Sequence, residues 1–125
     1  MQGNLIFLQL MGVIIAGIAC NQYHCLVWDI QGRIFSWGNG LNGQLGHPID
    51  NGYSFNKIEY IPKQIAFLKD KKIIQASCGI YYSTAITNEG LLYGWGKGVY
   101  CKEVDNSKPI SLMDCLMWNY TQCSY

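Results

Sequence analysis

Short apolar segments alternate with polar or glycine-containing connections along most of the chain, and this pattern predicts a β-strand protein. We predict three strands in each of two sets, at residues 14–20, 24–28 and 33–37 and again at residues 73–78, 83–87 and 91–95. In each set a polar connection that ends in glycine, Gly32 or Gly90, joins the second strand to the third, as is typical of a hairpin. A fourth strand is predicted near residues 63–67, after Pro62, because proline is tolerated at the start of a strand or on a sheet edge.

The two sets are copies of one repeat, because identical residues coincide when the sequence is shifted by 58 positions against itself. The coinciding pairs include Ile15 with Ile73, Cys20 with Cys78, Tyr23 with Tyr81, Gly32 with Gly90, Trp37 with Trp95 and Gly38 with Gly96. Four short antiparallel strands in a unit of this length are typical of a propeller blade. One blade cannot bury both of its faces, and stacking against neighbours covers them. The predicted fold is therefore all-β, with about two four-stranded antiparallel blades of a partial β-propeller.

Three consecutive segments of the first copy resemble the repeat of the regulator of chromosome condensation family. Residues 18–27 resemble its opening strand pair, residues 32–38 its glycine turn and tryptophan strand, and residues 40–47 its Gly-Gln-Leu-Gly loop. The second copy resembles the repeat over residues 76–85 and 90–96. Asn21 departs from the usual glycine, Tyr82 departs from the usual histidine, and no second Gly-Gln-Leu-Gly loop follows Gly98.

The resemblance implies a ring of seven blades, for which seven such units need on the order of 400 residues. With 125 residues, the chain is expected to form an open ring, a fragment of the seven-bladed architecture. We divide it into an apolar lead-in or end of a preceding blade at 1–13, a first repeat at 14–72, a second and incomplete repeat at 73–113, and an unassigned tail at 114–125. Further blades or self-association are expected to cover the open edges.

The resemblance also implies repeat-structural roles for the residues that carry it. These are Cys20, His24, Gly32, Trp37, Gly38, Gly43, Gln44, Leu45, Gly46, Cys78, Gly79, Gly90, Trp95 and Gly96. The two tryptophans are expected between neighbouring blades, His24 is expected to bond loop backbone, and His47 is expected to be exposed. No catalytic, cofactor-binding or metal-ligating residue is predicted, because both histidines fall at repeat positions and no phosphate-binding glycine loop is found.

The apolar stretch from residue 5 to residue 20 has three interpretations. A signal peptide lacks support because no basic residue precedes it, and a membrane helix needs about 20 apolar residues. One or two buried strands are favoured, because residues 15–20 recur as residues 73–78.

Charge and cysteine content exclude several classes of partner. A net charge of +1 gives no electrostatic case for nucleic acid, and the cluster of Lys69, Lys71 and Lys72 includes Asp70, which favours a solvated loop. None of the six cysteines forms a C-x-x-C pair, so no zinc site is predicted and reduced, mostly buried thiols are expected.

The predicted function is a protein–protein interaction module that has no enzyme activity of its own and no cofactor. One alternative, implied by the family resemblance, is a guanine-nucleotide exchange factor for a small GTPase, or part of one. Another is a membrane-anchored or secreted repeat protein that uses the apolar N-terminus. A protein partner is expected, in the cytoplasm or nucleus, with membrane association as the alternative.

Overall fold

The computed structural model of the chain describes residues 2–47, 58–97 and 110–111, in which one helix and eight strands are found. In chain order the elements are α1 (Gln2–Leu10), β1 (Ile15–Cys20), β2 (His24–Asp29), β3 (Ile34–Gly38), β4 (Glu59–Gln64), β5 (Ile73–Cys78), β6 (Tyr82–Thr87), β7 (Leu92–Gly96) and β8 (Ile110–Ser111). One turn of 3-10 helix, Ala66–Leu68, leads from the first set of strands to the second.

The strands form two four-stranded antiparallel sheets with the orders β1-β2-β3-β4 and β5-β6-β7-β8, which we call blade 1 and blade 2. The two blades also share a backbone irregularity at equivalent positions. The strand register shifts between Ile15 and Gly17 in blade 1 and between Ile73 and Gln75 in blade 2. The all-β prediction of two four-stranded antiparallel propeller blades is confirmed.

Two clusters of buried apolar side chains hold these elements together. The first lies between the blades and comprises Leu26, Ile34, Ile65, Leu68, Ile73, Ala76, Ala85 and Trp95. The second lies between blade 1 and α1 and comprises Leu8, Val13, Cys25, Val27, Phe35 and Trp37. Blade 1 is therefore covered on one face by blade 2 and on the other by a helix.

The helix α1 corrects the prediction that the beginning of the apolar stretch is a strand. The N–H of Gly12 donates to the carbonyl of Gln9 and the N–H of Val13 to that of Leu8, with Gly12 at a φ of 81°. This is a Schellman C-cap, in which glycine takes the left-handed conformation and the residue after it packs on the last turn. Leu8 and Val13 make that contact within the second cluster, so apolar burial on blade 1 stabilises a helix here. In the described residues no helix is long and apolar enough to cross a membrane.

The fourth strand of blade 1 also differs from its prediction. It spans Glu59–Gln64 and not residues 63–67, so Pro62 lies inside the strand. Because β4 is the outer strand of its sheet, a proline there removes no bond that a further strand needs. The repeat boundaries remain a prediction, and the tail at 114–125 lies outside the described residues.

Candidate functional site: the blade junction and its tyrosine rim

The junction between the blades centres on the backbone carbonyl of Gln44. This oxygen accepts a hydrogen bond from Trp95 Nε1 at 2.8 Å and a second from Ser83 Oγ at 2.7 Å. Gln44 belongs to the loop after β3, whereas Ser83 and Trp95 lie on β6 and β7, so one carbonyl of blade 1 holds two strands of blade 2. We call these three residues, together with His24, the junction latch.

His24 completes the latch from β2. Its Nε2 lies 2.8 Å from Ser83 Oγ, and since the single hydroxyl proton of Ser83 points to Gln44, Nε2 must be the donor to Ser83. Nδ1 of His24 is then a bare acceptor, and it has no hydrogen-bond partner among the described residues. Burial lowers the pKa of His24 to about 4, partly offset by the backbone of Tyr82, which favours the charged ring. The imidazole is therefore neutral and acts as a structural donor.

Glycine at position 46 lets the loop approach Trp95. Gly46 has a φ of 76°, and a Cβ built on it would lie 3.0 Å from Trp95 Nε1. Ser36 holds the same loop, because its hydroxyl donates to the carbonyl of Leu45 at 2.6 Å and lies 2.8 Å from His47 Nε2. His47 is half-buried through this contact, which corrects the expectation that it is exposed.

The turn between β1 and β2 makes further contacts with blade 2. The side-chain amide of Asn21 donates to the carbonyl of Gly79, and the rings of Tyr23 and Tyr81 stack with centroids 6.0 Å apart. Oδ1 of Asn21 accepts from the N–H groups of Tyr23 at 2.7 Å and His24 at 3.0 Å. The asparagine that departs from the repeat pattern therefore orders its own turn and joins it to the next blade.

An aromatic surface is exposed above these turns, and we call Tyr23, Tyr81, Tyr82 and Lys97 the tyrosine rim. Tyr23 is 38% exposed and Tyr81 is 43% exposed, while Lys97 Nζ lies 5.6 Å from the centre of the Tyr81 ring. The turns are fixed from below, since the carbonyls of Tyr23 and Tyr81 accept from the N–H groups of Asn39 and Lys97 at 2.8 and 2.9 Å. The tyrosines are thus presented on rigid backbone.

The opposite rim is built from the β2–β3 and β6–β7 turns. Asp29 carboxylate oxygens accept from Arg33 N at 2.8 Å and Arg33 Nε at 2.6 Å, and Thr87 Oγ1 has the corresponding place in blade 2. The carbonyl of Gly32 accepts from Ile73 N at 3.0 Å, which ties this rim of blade 1 to the start of β5. Lys72 lies against Gly32, so one lysine of the predicted loop cluster also contacts the junction.

Two of the three described cysteines differ from the expectation of reduced thiols. Cys20 and Cys25 form a disulfide across the β1–β2 hairpin, because the register places them opposite each other with Cα atoms 4.2 Å apart. Cys78 is a free cysteine whose thiol lies 3.3 Å from the carbonyl of Ala19. Burial raises the pKa of the Cys78 thiol to about 12, although the backbone of Leu26 partly opposes the shift. In the part of the chain that the structure describes, no three potential ligands are grouped to hold a metal ion.

The structure gathers some of the sequence-predicted residues and separates others. Those at the junction are His24, Gly32, Gln44, Gly46, Cys78, Gly79 and Trp95. The others are Gly38 and Gly96 beneath the tyrosine rim, Gly43 and Leu45 in the loop, Gly90 in the β6–β7 turn, and Cys20 and Trp37 on the face of blade 1 toward α1. Sequence reasoning missed Ser83 as a latch residue, although it lies within residues 76–85, over which the second copy resembles the repeat.

Two four-stranded antiparallel sheets that share one repeat and pack through a common core are neighbouring blades of a β-propeller. The sequence pattern of the regulator of chromosome condensation (RCC1) repeat matches residues 31–86. The chain belongs to the RCC1 repeat family.

Curated relatives and solved structures agree with this assignment. The chain is 41% identical over 80 residues to the probable E3 ubiquitin-protein ligase HERC6 of Homo sapiens, which covers 64% of this chain and 7% of that protein. It is 35% identical over 91 residues to the ultraviolet-B receptor UVR8 of Arabidopsis thaliana, which covers 73% and 19%. The crystal structure of human WBSCR16 superimposes with a TM-score of 0.67 at 26% identity, over 82% of this chain and 25% of that one. The chain thus spans a small part of the length of these proteins.

Proposed function

We propose that the chain is a protein-interaction module in which two blades present the tyrosine rim to a partner protein. The observation that carries this proposal is the stacked pair Tyr23 and Tyr81, which stays exposed on turns that the backbone holds in place. Tyrosine supplies a large contact area at a small entropic cost and is enriched in protein interfaces. Repetition of the residue in both blades doubles that area along one rim.

The chemistry of the rim favours a protein segment with apolar and acidic side chains. Tyr82, also exposed, adds a third ring, and Lys97 adds a positive charge beside Tyr81. An acidic side chain on the partner could pair with Lys97 while apolar groups cover the rings. We propose that this chain contributes binding and no catalysis, because the described histidines are committed to the Ser83 and Ser36 hydroxyls.

The proposal is tested by quantitative affinity capture with matched variants, followed by binding measurements on purified partners. Tyr81→Ala is expected to weaken a direct partner at least tenfold, because it removes a central ring of the rim. Tyr60→Ala is the control, since Tyr60 is 79% exposed on β4, the outer strand of blade 1, which β3 separates from the hairpin that carries Tyr23. Equal affinity of the partner for both variants would overturn the proposal, provided that circular dichroism shows both variants folded.

A second candidate is guanine-nucleotide exchange on a small GTPase. It is favoured by the fold of Saccharomyces cerevisiae Prp20p, which superimposes with a TM-score of 0.68 at 23% identity over 79% of this chain, and whose structure is described with its binding to Gsp1p and histones. Under this candidate the chain accelerates release of labelled GDP from a GTPase, whereas an interaction module binds without changing the release rate. We place either function in the cytosol or nucleus, which fractionation of tagged protein tests.

A further inference from the structure

The two hairpins beneath the tyrosine rim differ at one pair of facing positions. In blade 1 the pair is Cys20 and Cys25, which form a disulfide, and in blade 2 it is Cys78 and Ser83. The Asn21 N–H bonds the carbonyl of His24 at 3.0 Å, so the disulfide lies directly at the base of a two-residue hairpin loop. The repeat therefore has a covalent tie in one copy and none in the other.

This disulfide encloses the residues through which the hairpin contacts blade 2. Between the two cysteines lie Asn21, which bonds the carbonyl of Gly79, Tyr23, which stacks on Tyr81, and His24, which bonds Ser83. Three of the contacts across the junction thus depend on the conformation of one turn of four residues. A disulfide at the base of this turn therefore restricts the conformation on which all three contacts depend.

The two sulfurs of the disulfide differ in access. Cys20 is exposed, whereas Cys25 is buried in the cluster under α1 with Leu8 and Trp37. Cys78, at the position equivalent to Cys20, is half-buried against the backbone of Ala19. An external thiolate can therefore reach the disulfide at Cys20, while Cys78 is poorly placed to exchange with it.

We propose that the Cys20–Cys25 disulfide is a thiol–disulfide exchange site that sets how firmly the β1–β2 hairpin is held on blade 2. A thiolate of a dithiol reductant attacks Cys20 Sγ, the Cys20–Cys25 bond breaks, and Cys25 leaves as a thiolate that takes up a proton. The second thiol of the reductant then attacks the mixed disulfide, releases Cys20, which is protonated, and departs as a disulfide. Two electrons and two protons pass to the protein.

The state of the bond can be read directly from one peptide. Arg33 is the first lysine or arginine of the sequence, so trypsin releases Cys20 and Cys25 together on the peptide that ends at Arg33, with no other cysteine in residues 1–33. Differential alkylation of the purified full-length protein is expected to show this peptide blocked before treatment with dithiothreitol and doubly alkylated after it. A peptide that is fully alkylated without reductant would overturn the proposal.

The consequence is measured by thermal unfolding and by local hydrogen exchange. Reduction of the wild type is expected to lower the unfolding midpoint by about 8 °C, and to speed exchange at residues 21–24 and 79–82 at least tenfold while residues 30–33 change little. Cys25→Ser reproduces the blade 2 pair and is expected to match the reduced wild type and to be insensitive to dithiothreitol at this hairpin. Cys78→Ser keeps the disulfide and is expected to keep the response.

Three outcomes would overturn the proposal. Exchange that rises evenly over the whole chain on reduction contradicts a local effect on the hairpin. Loss of the response in Cys78→Ser would assign the chemistry to Cys78. An unchanged midpoint and unchanged exchange in Cys25→Ser show that the tie does not hold the turn.

Discussion

The same face of the repeat has different covers in the two blades. In blade 2 the face formed by Ser83, Ala85, Tyr93 and Trp95 packs on blade 1, and in blade 1 the equivalent face of Cys25, Val27, Phe35 and Trp37 packs beneath α1. The apolar side chains of this face are buried by a neighbouring blade in one case and by a helix in the other. The polar part is specific, since Ser83 and Trp95 donate to Gln44. Apolar burial therefore stabilises either cover on this face, whereas the hydrogen bonds of the latch make the contact of blade 2 with blade 1 specific.

The tryptophans offer the largest test of this contrast. Trp95→Ala is expected to destabilise the chain by about 4 kcal/mol, because it leaves a cavity and removes the donor to the Gln44 carbonyl. Trp37→Ala is expected to cost about 1 kcal/mol less, since a short helix can settle into the space. Urea unfolding measures both, and an equal or larger cost at Trp37 would break the distinction between the two covers.

The hairpin glycines of the opposite rim sharpen the comparison. Gly32 and Gly90 share left-handed φ values of 88° and 83°, but a Cβ on Gly32 would meet the Lys72 backbone at 2.6 Å, whereas nothing lies within 4 Å of Gly90. Gly90→Ala is expected to cost about 1 kcal/mol for backbone strain alone. Gly32→Ala is expected to cost about 3 kcal/mol, because blade 2 must also move. Equal losses in unfolding free energy would mean that the blades are not in contact at Lys72.

Substitutions of two side chains of α1 test whether this helix packs on blade 1. Leu8 is 1% exposed in the cluster on blade 1, while Ile6 is 55% exposed on the same helix. Leu8→Ala is expected to cost about 2 kcal/mol, and Ile6→Ala is expected to change the unfolding free energy by less than about 0.5 kcal/mol. If the two variants are equally stable, α1 does not cover blade 1.

Acid should weaken the junction through His24. Its pKa in the folded chain, about 4, is below its ordinary value of 6.5, so the unfolded state binds more protons between these pH values. The contribution of neutral His24 to the free energy of unfolding is fully present above pH 6.5. It decreases as the pH falls toward 4 and does not change further below that value. The loss is expected to be about 3 kcal/mol. His24→Gln should flatten unfolding free energy against pH in this window, while His47→Gln should not; identical curves for wild type and His24→Gln would contradict this.

Much of the fold could be predicted because the same structurally demanding residues recur at equivalent positions of the two copies. Glycine and tryptophan occupy positions that few residues can fill, so matches such as Trp37 with Trp95 located the strands and turns. The helix was missed although Leu8, Gly12 and Val13 carry a C-cap pattern, because apolar residues in that stretch suit strands equally well. The disulfide needed the hairpin register, which follows only when residues 22–23 are known to form the loop.

The candidate site was less predictable for a different reason. The latch joins residues 39 and 51 positions apart through a backbone carbonyl, and no pattern of side chains along the chain encodes which carbonyl will be aimed at Trp95. The exposure of Tyr23 and Tyr81 likewise depends on two turns from different blades meeting at one rim.

The latch is tested most directly by hydrogen exchange of the tryptophan indole N–H groups, followed by NMR on the native protein. The Trp95 indole, fully buried and bonded to Gln44, is expected to exchange only on separation of the blades, at least a hundredfold more slowly than the Trp37 indole beneath α1. Equal exchange rates for the two indoles would contradict a junction closed by that carbonyl.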